Sequence, residues 1–220
     1  MPYPSLTIIG LTGNIACGKS TVVAMLRDLG ASTIDADAVT HTLQQPGQSV
    51  YRQIVAAFGP QILAEPGGAI NRQALGALVF SSPAELRRLE QIVHPAVHFA
   101  IEEWLDTLSE QHAADAQPHV AVIDAIKLIE SGWPSICDSL WVVACPPEQQ
   151  LARLMATRNM SEAEAQRRSA AQPPQSAKIA HATVVIDNSD SLEHTRRQVE
   201  DAWQAVLSAA RHRRGMSPVS

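Results

Sequence analysis

The chain has 220 residues with 45% apolar side chains, enough for one domain with a buried core and too many for a disordered chain. Its net charge of −5 argues against a surface that coats nucleic acid, because such surfaces must neutralise phosphates. The sequence has no apolar run of roughly 20 residues, so the protein is not expected to be membrane-bound. It shows no secretory signal, and its three cysteines include no C-x-x-C pair, so we expect it to be cytoplasmic.

The first elements of the chain are predicted to be strand, glycine loop, helix and strand. Residues 6–11 are an apolar, β-rich run without strict alternation, as expected of a strand that is covered on both faces. Residues 19–29 place apolar side chains at helical spacing, and Gly30 follows where a left-handed cap is common. Residues 32–34 then predict a second short strand.

The next segment, residues 40–114, predicts a helical insertion, because turn signals separate helical patterns and no strand pattern interrupts them. The predicted helices cover 48–58, 71–80, 82–93 and 95–108.

Strand patterns return at 120–123, 140–144 and 183–186, and helical patterns follow the last two at 147–157 and 191–207. A further helix begins at Ser161 and ends before Pro173. Interleaved strands and helices predict an α/β fold with a parallel five-stranded sheet flanked by helices. We assign the core to 1–39, 115–155 and 181–208, the insertion to 40–114, a small helical lid to 156–180 and a tail to 209–220.

The strongest motif lies between the first strand and the first helix, where G-N-I-A-C-G-K-S matches G-x-x-x-x-G-K-[ST]. Such a P-loop turns backbone N–H groups inward around phosphate oxygens, and the helix N-terminus adds partial positive charge. Lys19 then reaches the β- and γ-phosphates, and the Ser20 hydroxyl binds Mg²⁺. The motif therefore predicts a P-loop NTPase-like fold that binds a nucleoside triphosphate together with Mg²⁺. The predicted nucleotide-binding residues are Gly13, Asn14, Ile15, Ala16, Cys17, Gly18, Lys19, Ser20 and Thr21.

The P-loop alone does not identify the reaction, because ATPases, GTPases and small-molecule kinases share it. A guanine-specific N-K-x-D segment is absent from the sequence, which argues against a GTPase. The helical insertion and the arginine-rich excursion resemble the acceptor and lid regions of nucleoside-monophosphate-type kinases. A kinase for a small acceptor, such as a nucleoside monophosphate, and a non-catalytic nucleotide-binding switch both stay open at this point.

Taken together, several short segments resemble the dephospho-coenzyme A kinase family. They are G-L-T-G at 10–13, K-S-T at 19–21, I-D-A-D at 34–37, H-P at 94–95, I-D-N-S at 186–189 and the spacing of Arg158, Arg168 and Gln172. The resemblance implies transfer of the ATP γ-phosphate to the ribose 3′-hydroxyl of dephospho-CoA, the last step of coenzyme A synthesis. We expect this small-molecule partner, no nucleic acid, and a monomer or weak homo-oligomer.

The resemblance also implies roles for individual residues. Asp37 would be the catalytic base that accepts the hydroxyl proton, and Asp35 would belong to the Mg²⁺ shell or orient Asp37. From the residues alone, both acids could simply end a strand and cap the next helix. Arg158 and Arg168 match lid arginines, whose planar guanidinium groups suit the charge on a phosphoryl group in transfer.

Three further residues match the regions of the family that receive the two nucleotides. Asn188, just beyond the last strand, would contact the adenine of ATP. Arg72 and His94 lie in the insertion, where the family binds the acceptor. A cationic side chain there would bind the anionic pyrophosphate of the acceptor.

The P-loop departs from the usual family pattern G-G-I-G-S-G-K-S at Asn14, Ala16 and Cys17. Alanine adopts a positive φ only at a cost, so Ala16 is expected to strain the loop. Cys17 stands at a helix N-terminus beside Lys19, which predicts partial thiolate character and reactivity with alkylating agents. The alternative is that Cys17 is a small residue that the loop tolerates.

Overall fold

The computed structural model describes residues 3–158 and 160–213, except for the side chain of Arg158. In the described part, five strands form one sheet in the order β2-β3-β1-β4-β5. They are β1 (Leu6–Gly13), β2 (Ser32–Asp35), β3 (His119–Asp124), β4 (Ser139–Ala144) and β5 (Val184–Asp187). β1 pairs in parallel with β3 and β4, and β4 pairs in parallel with β5. These strands confirm the predicted five-stranded parallel sheet.

The chain divides into two units, and the larger contains the sheet, with residues up to 34 and from 105 onward. Its helices are α1 (Lys19–Asp28), α6 (Pro147–Arg158), α7 (Glu162–Ala170), α8 (Gln175–Ile179) and α9 (Leu192–Arg213). Every residue of β1 and β4 is buried, which agrees with the continuous apolar runs in the sequence. Apolar side chains of α1 and α9, including Leu26 and Trp203, complete the core around the central strands.

The smaller unit, Asp35–Trp104, is helical. It contains α2 (Ala36–Leu43), α3 (Ser49–Phe58), α4 (Arg72–Phe80) and most of α5 (Pro83–Gln111), with a 3-10 turn at Pro60–Ile62. Ile54, Phe58, Ile62 and Val79 are buried. The smaller unit thus has buried apolar side chains of its own.

The structure corrects the predicted break between helices 82–93 and 95–108, because α5 runs through Pro95 as a single helix. A proline inside a helix removes one backbone hydrogen bond and usually bends or ends it. Here the buried side chains Val93, Val97 and Ile101 recur every four residues on both sides of Pro95. Their burial outweighs the lost hydrogen bond.

Two other boundaries differ from the prediction. α9 continues beyond the predicted end at residue 207 to Arg213, so the first residues of the predicted tail are helical, while residues 214–220 lie outside the described part. A short helix, α8, follows the Pro173–Pro174 stop and was not predicted. The roles assigned to the insertion, the lid and the tail stay predictions.

Across the described ranges, no helix has both the length and the hydropathy that would be needed to cross a lipid bilayer.

Candidate active site

The candidate functional residues of the larger unit lie at one edge of the sheet. In parallel strands, the carboxyl ends lie at the same edge, where ligands bind in open α/β sheets. The P-loop follows β1, Asp124 ends β3, Cys145 follows β4 and Asn188 follows β5. Leu11 of β1 is paired with Asp124, which places that carboxylate beside the start of the loop.

Two glycines give the P-loop its path. At Gly13 an added Cβ would lie 2.7 Å from the carbonyl oxygen of Val143, so only glycine lets β1 and β4 approach this closely. Gly18 has a φ of +91°, and a Cβ there would lie 1.9 Å from the side-chain amide of Asn188. The first and sixth positions of the motif therefore need glycine for different reasons, backbone proximity and backbone conformation.

The N-terminus of α1 is open to an anion. Its N-cap residue, Gly18, provides no side-chain acceptor, and the first turn contains no acidic residue. Within the described residues, no acceptor is present for a group of four backbone amides, those of Ala16, Gly18, Lys19 and Ser20. Amides left unpaired at a helix N-terminus bind phosphate oxygens readily.

Lys19 is paired with a buried carboxylate that the sequence analysis did not assign. Its ammonium group contacts Oδ1 of Asp124, and the two side chains are 16% and 9% exposed. The sequence does contain a pattern that marks this acid, because Asp124 follows four apolar residues at the end of a strand, as the Mg²⁺-binding acid of P-loop enzymes does. The site therefore contains one more acid than was predicted.

Asn188 clamps the P-loop. Its side-chain amide is buried; Nδ2 donates to the carbonyl of Cys17 at 2.9 Å and Oδ1 accepts from the Thr195 hydroxyl at 2.9 Å. Its carbonyl accepts from Arg153 at 2.8 Å. These contacts attach the loop to β5 and α9, and a contact of Asn188 with adenine stays a prediction.

The segment between α7 and α8 is also attached to the P-loop. Gln172 Oε1 accepts from the backbone amide of Ile15 at 2.8 Å, and the Asn14 side chain donates to the Pro173 carbonyl at 3.1 Å. From α6, Gln150 donates to the Ile15 carbonyl at 2.8 Å. These glutamines were not assigned roles from sequence, since they lie more than 130 positions away from the loop.

A second lysine lies at this edge of the sheet. Lys178 of α8 is buried and donates to the Ile126 carbonyl and, at 3.4 Å, to the Thr12 hydroxyl. The Thr12 hydroxyl donates to the same carbonyl at 3.0 Å. Lys178 therefore ties α8 to the ends of β1 and β3, and no sequence motif marked it.

The predicted thiolate character of Cys17 is wrong for this structure. The Cys17 side chain points into the core, where the residue is 1% exposed, and its Sγ lies 3.4 Å from Sγ of Cys145. The hydrogen bond shared with Cys145, followed by burial, raises the pKa of Cys17. We expect slow alkylation of Cys17, because both its protonation and its burial oppose the reaction.

Ala16 has a φ of +60° and is the only non-glycine residue with positive φ among those described. This bears out the expected strain in the loop, because a Cβ in the left-handed region costs about 1–2 kcal/mol.

Ala16→Gly should therefore raise the free energy of unfolding by up to about 1 kcal/mol, since part of the relieved strain is offset by the larger entropy of glycine in the unfolded chain. Urea unfolding measures the change. Ala24→Gly on the exposed face of α1 is the matched control, which should instead lower stability by about 1 kcal/mol. A loss of similar size in both variants would contradict the prediction.

The two acids of the D-A-D segment belong to the helical unit. Asp35 is the N-cap of α2, and its Oδ1 accepts from the amides of Asp37 at 2.9 Å and Ala38 at 3.0 Å. Asp37 lies in the first turn of α2, and its side chain is exposed. Asp35 thus holds the backbone of Asp37 in place, while the Asp37 carboxylate faces solvent.

Arg72 and His94 lie in the same unit. Arg72 is the first residue of α4, and its guanidinium contacts Nδ1 of His41 on α2. His94 lies in the middle of α5, next to Pro95, and is partly exposed. The structure thus pairs one predicted acceptor-binding cation with a second basic side chain, His41.

Of the two arginines predicted for the lid, the structure describes the side chain of only one. Arg158 is the last residue of α6, but its side chain lies outside the described part of the chain. Arg168 lies in the last turn of α7, is half-exposed and forms an ion pair with Glu164 at 3.0 Å. An exposed pair of this kind is worth less than about 1 kcal/mol, so Arg168 can leave it for a phosphate.

Comparison with known proteins agrees with this arrangement. The family model for dephospho-CoA kinase matches residues 7–194. A dephospho-CoA kinase of Symbiobacterium thermophilum is 50% identical over 201 residues, which are 91% of this chain and 82% of the relative. One of Geobacter sulfurreducens is 44% identical over 198 residues, which are 90% of this chain and 98% of that relative.

Solved structures show the same likeness. The crystal structure of TT1252 from Thermus thermophilus has 34% identity and a TM-score of 0.76, covering 93% of this chain and 97% of that one. A dephospho-CoA kinase from Campylobacter jejuni has 25% identity and a TM-score of 0.65, covering 92% and 98%. With a family match over most of its length and close relatives along nearly all of it, the chain belongs to the dephospho-CoA kinase family.

Proposed function

We propose that this protein transfers the γ-phosphate of ATP to the ribose 3′-hydroxyl of dephospho-CoA, giving CoA and ADP. The observation that carries the proposal is the group of unpaired amides at the N-terminus of α1, next to the Lys19 ammonium. The relatives at 44–50% identity are named dephospho-CoA kinases, which supports this acceptor.

The nucleotide phosphates would bind on the P-loop, where amides from Ala16 to Ser20 offer hydrogen bonds to oxygens. Lys19 would exchange its contact with Asp124 for the β- and γ-phosphates, as both are strong partners for an ammonium group. The hydroxyl of Ser20 and the carboxylate of Asp124 are hard oxygen donors, so these two residues fit Mg²⁺. The metal would neutralise negative charge on the transferred phosphate.

The acceptor hydroxyl would give its proton to Asp37. An exposed carboxylate on the first turn of a helix is accessible to a bound substrate, and the cap made by Asp35 fixes the backbone from which it projects. Arg72, His41 and His94 would provide positive charge for the pyrophosphate of the acceptor. Asp35 acts in this proposal as a positioning residue.

The lid arginines, Arg158 and Arg168, would close on the transferred phosphoryl group. Their planar guanidinium groups donate two parallel hydrogen bonds to phosphate oxygens. Closure would also exclude water, which otherwise competes with the acceptor hydroxyl for the phosphoryl group.

Replacing Arg168 by alanine should lower kcat at least about tenfold with almost no change in stability, because its ion pair with Glu164 is half-exposed. Steady-state kinetics and thermal unfolding measure the two effects. Glu164→Gln is the matched control, since it breaks the same ion pair but keeps the arginine. Equal kcat values for the two variants would show that Arg168 acts only through Glu164.

The acceptor is tested by the rate of ADP formation with dephospho-CoA, AMP, CMP and shikimate, each with saturating ATP and Mg²⁺. The proposal requires dephospho-CoA to have by far the highest kcat/KM. A preference for AMP or CMP would make the protein a nucleoside-monophosphate kinase. ATP binding without turnover on any acceptor would make it a nucleotide-dependent switch.

We place this reaction in the cytoplasm, since the free thiols of Cys17, Cys137 and Cys145 fit a reducing compartment. The protein is proposed to act as a monomer or weak homo-oligomer.

A further inference from the structure

Two cysteine side chains meet beneath the P-loop. Cys17 is the fifth residue of the motif, and Cys145 directly follows β4. Their Sγ atoms are 3.4 Å apart, and the two residues are 1% and 4% exposed. Both lie in the core cluster, on the inner side of the loop. Two thiols are thus in direct contact behind the surface that is proposed to bind phosphate.

The contact is held by the fold and by a third side chain. β1 and β4 are neighbouring parallel strands, and Gly13 is paired with Val143, so the loop and the residues after β4 leave the sheet together. Gln175 of α8 spans the pair: its Oε1 accepts from Sγ of Cys17 at 3.2 Å and from the amide of Cys145 at 3.3 Å. Its Nε2 donates to the carbonyl of Cys145 at 3.3 Å. Gln175 therefore holds the thiol of Cys17 and the backbone of Cys145.

The two thiols differ in acidity. The pKa of Cys145 is lowered, mainly by the hydrogen bond shared with Cys17 and further by the positive charge of Arg153, while burial and the charges of Asp187 and Glu148 oppose this shift. The thiolate, not the thiol, is the nucleophile toward oxidants. The third cysteine, Cys137, differs, because burial raises its pKa to about 12. Cys145 is therefore the residue where oxidation would begin, with Cys17 in reach of its sulfur.

We propose that Cys17 and Cys145 are a redox modification site, at which a hydroperoxide produces a disulfide that disables the P-loop. The Cys145 sulfur attacks a peroxide oxygen, the O–O bond breaks, and Cys145 becomes a sulfenic acid with release of water or an alcohol. The Cys17 sulfur then attacks the Cys145 sulfur, an S–S bond forms, and the hydroxyl leaves as water with the proton of the Cys17 thiol. Two thiols are oxidised by two electrons, and one peroxide is reduced.

The new bond would displace the loop. A disulfide requires the two sulfurs to lie about 2 Å apart, so the pair must close by more than an ångström from its present separation. Cys17 lies between Ala16, which is already at a positive φ, and Gly18, so the movement reaches amides of the phosphate site. A displacement of about 1 Å in a positioning group can cost about a hundredfold in rate. This consequence rests on the proposed function, whereas formation of the disulfide does not.

The test treats the full-length protein with hydrogen peroxide and follows two quantities. Non-reducing peptide mapping by mass spectrometry identifies the linked cysteines, and calorimetric titration gives the affinity for Mg·ATP. Cys17→Ser and Cys145→Ser each remove one partner, and Cys137→Ser is the matched control outside the pair. Dithiothreitol then tests reversal.

We expect a Cys17–Cys145 cross-link in the wild type and in Cys137→Ser, with Mg·ATP affinity at least about tenfold weaker and restored by dithiothreitol. In each of the two partner variants, peroxide should leave the Mg·ATP affinity at the value which that same variant has before treatment. Absence of the cross-link in wild-type protein would overturn the modification site. A cross-link with unchanged affinity would overturn the effect on the loop. Failure of the reduced protein to bind Mg·ATP would instead count against the proposed function.

Discussion

Asp37→Asn is expected to lower kcat by about two to four orders of magnitude, the usual contribution of a general base, while the affinity for Mg·ATP stays nearly the same. Asparagine keeps the size of the side chain but does not accept the hydroxyl proton. The carboxylate is exposed on the first turn of α2, so the change leaves no buried group unpaired. Single-turnover kinetics with dephospho-CoA and calorimetric titration with Mg·ATP measure the two quantities.

The neighbouring acid provides the control. Asp35→Ser removes the second carboxylate but keeps an oxygen that can cap α2, since serine is about as good an N-cap as aspartate. If Asp35 only positions Asp37, this variant should keep most of its kcat, and Asp35→Ala should lose more. Wild-type turnover in Asp37→Asn would remove Asp37 as the base. A loss in Asp35→Ser as large as in Asp37→Asn would assign a direct role to the Asp35 carboxylate.

The parts of the fold that could be predicted are those set by neighbouring residues. The strands are short apolar runs with turn signals on both sides, and the P-loop is a contiguous motif that can be recognised from its spacing. The positive φ of Ala16 also followed from its place in the motif. α5 could not be predicted as one helix, because the local effect of Pro95 favours a break and the burial of Val93, Val97 and Ile101 is tertiary.

The contacts that shape the site are long-range, so the sequence can mark a residue such as Asp124 at the end of a strand but not the partner that it contacts. Asp124 lies 105 positions from Lys19, and Gln172 lies 157 positions from Ile15. Only the sheet order β3-β1-β4-β5 brings these residues to one edge. The reactivity expected of Cys17 depended on its exposure, and the direction of a side chain in a loop is set by packing. The family resemblance provided the roles of Asp37 and Arg168, which spacing alone left open.

These long-range contacts show what fixes the shape of the P-loop. The loop is held by Asn188, Gln172 and Gln150, each of which binds a backbone group of Cys17 or Ile15. The amides that have no acceptor among the described residues are the ones proposed to bind phosphate. A site arranged before the ligand arrives loses less entropy on binding. The exception is Lys19, whose ammonium group must leave Asp124 to reach a phosphate.

Lys19→Met is expected to lower both stability and activity, and a second substitution should separate the two effects. The single variant removes the Lys19 ammonium group from the Asp124 carboxylate, which is 9% exposed, and breaking this buried ion pair should cost about 3–5 kcal/mol of unfolding free energy. Mg·ATP affinity should fall about ten- to a hundredfold, because one charged hydrogen-bond donor is lost. Urea unfolding and calorimetric titration measure these changes.

The double variant, Lys19→Met with Asp124→Asn, also removes the negative charge of Asp124 and should recover most of the stability. It should not recover turnover, because both the phosphate-binding ammonium and the proposed Mg²⁺ ligand are absent. The single variant Asp124→Asn completes the double-mutant cycle and gives the coupling energy between the two residues. If turnover returned together with stability in the double variant, Lys19 would be only a counterion of Asp124, and the phosphate site would depend on the backbone amides alone.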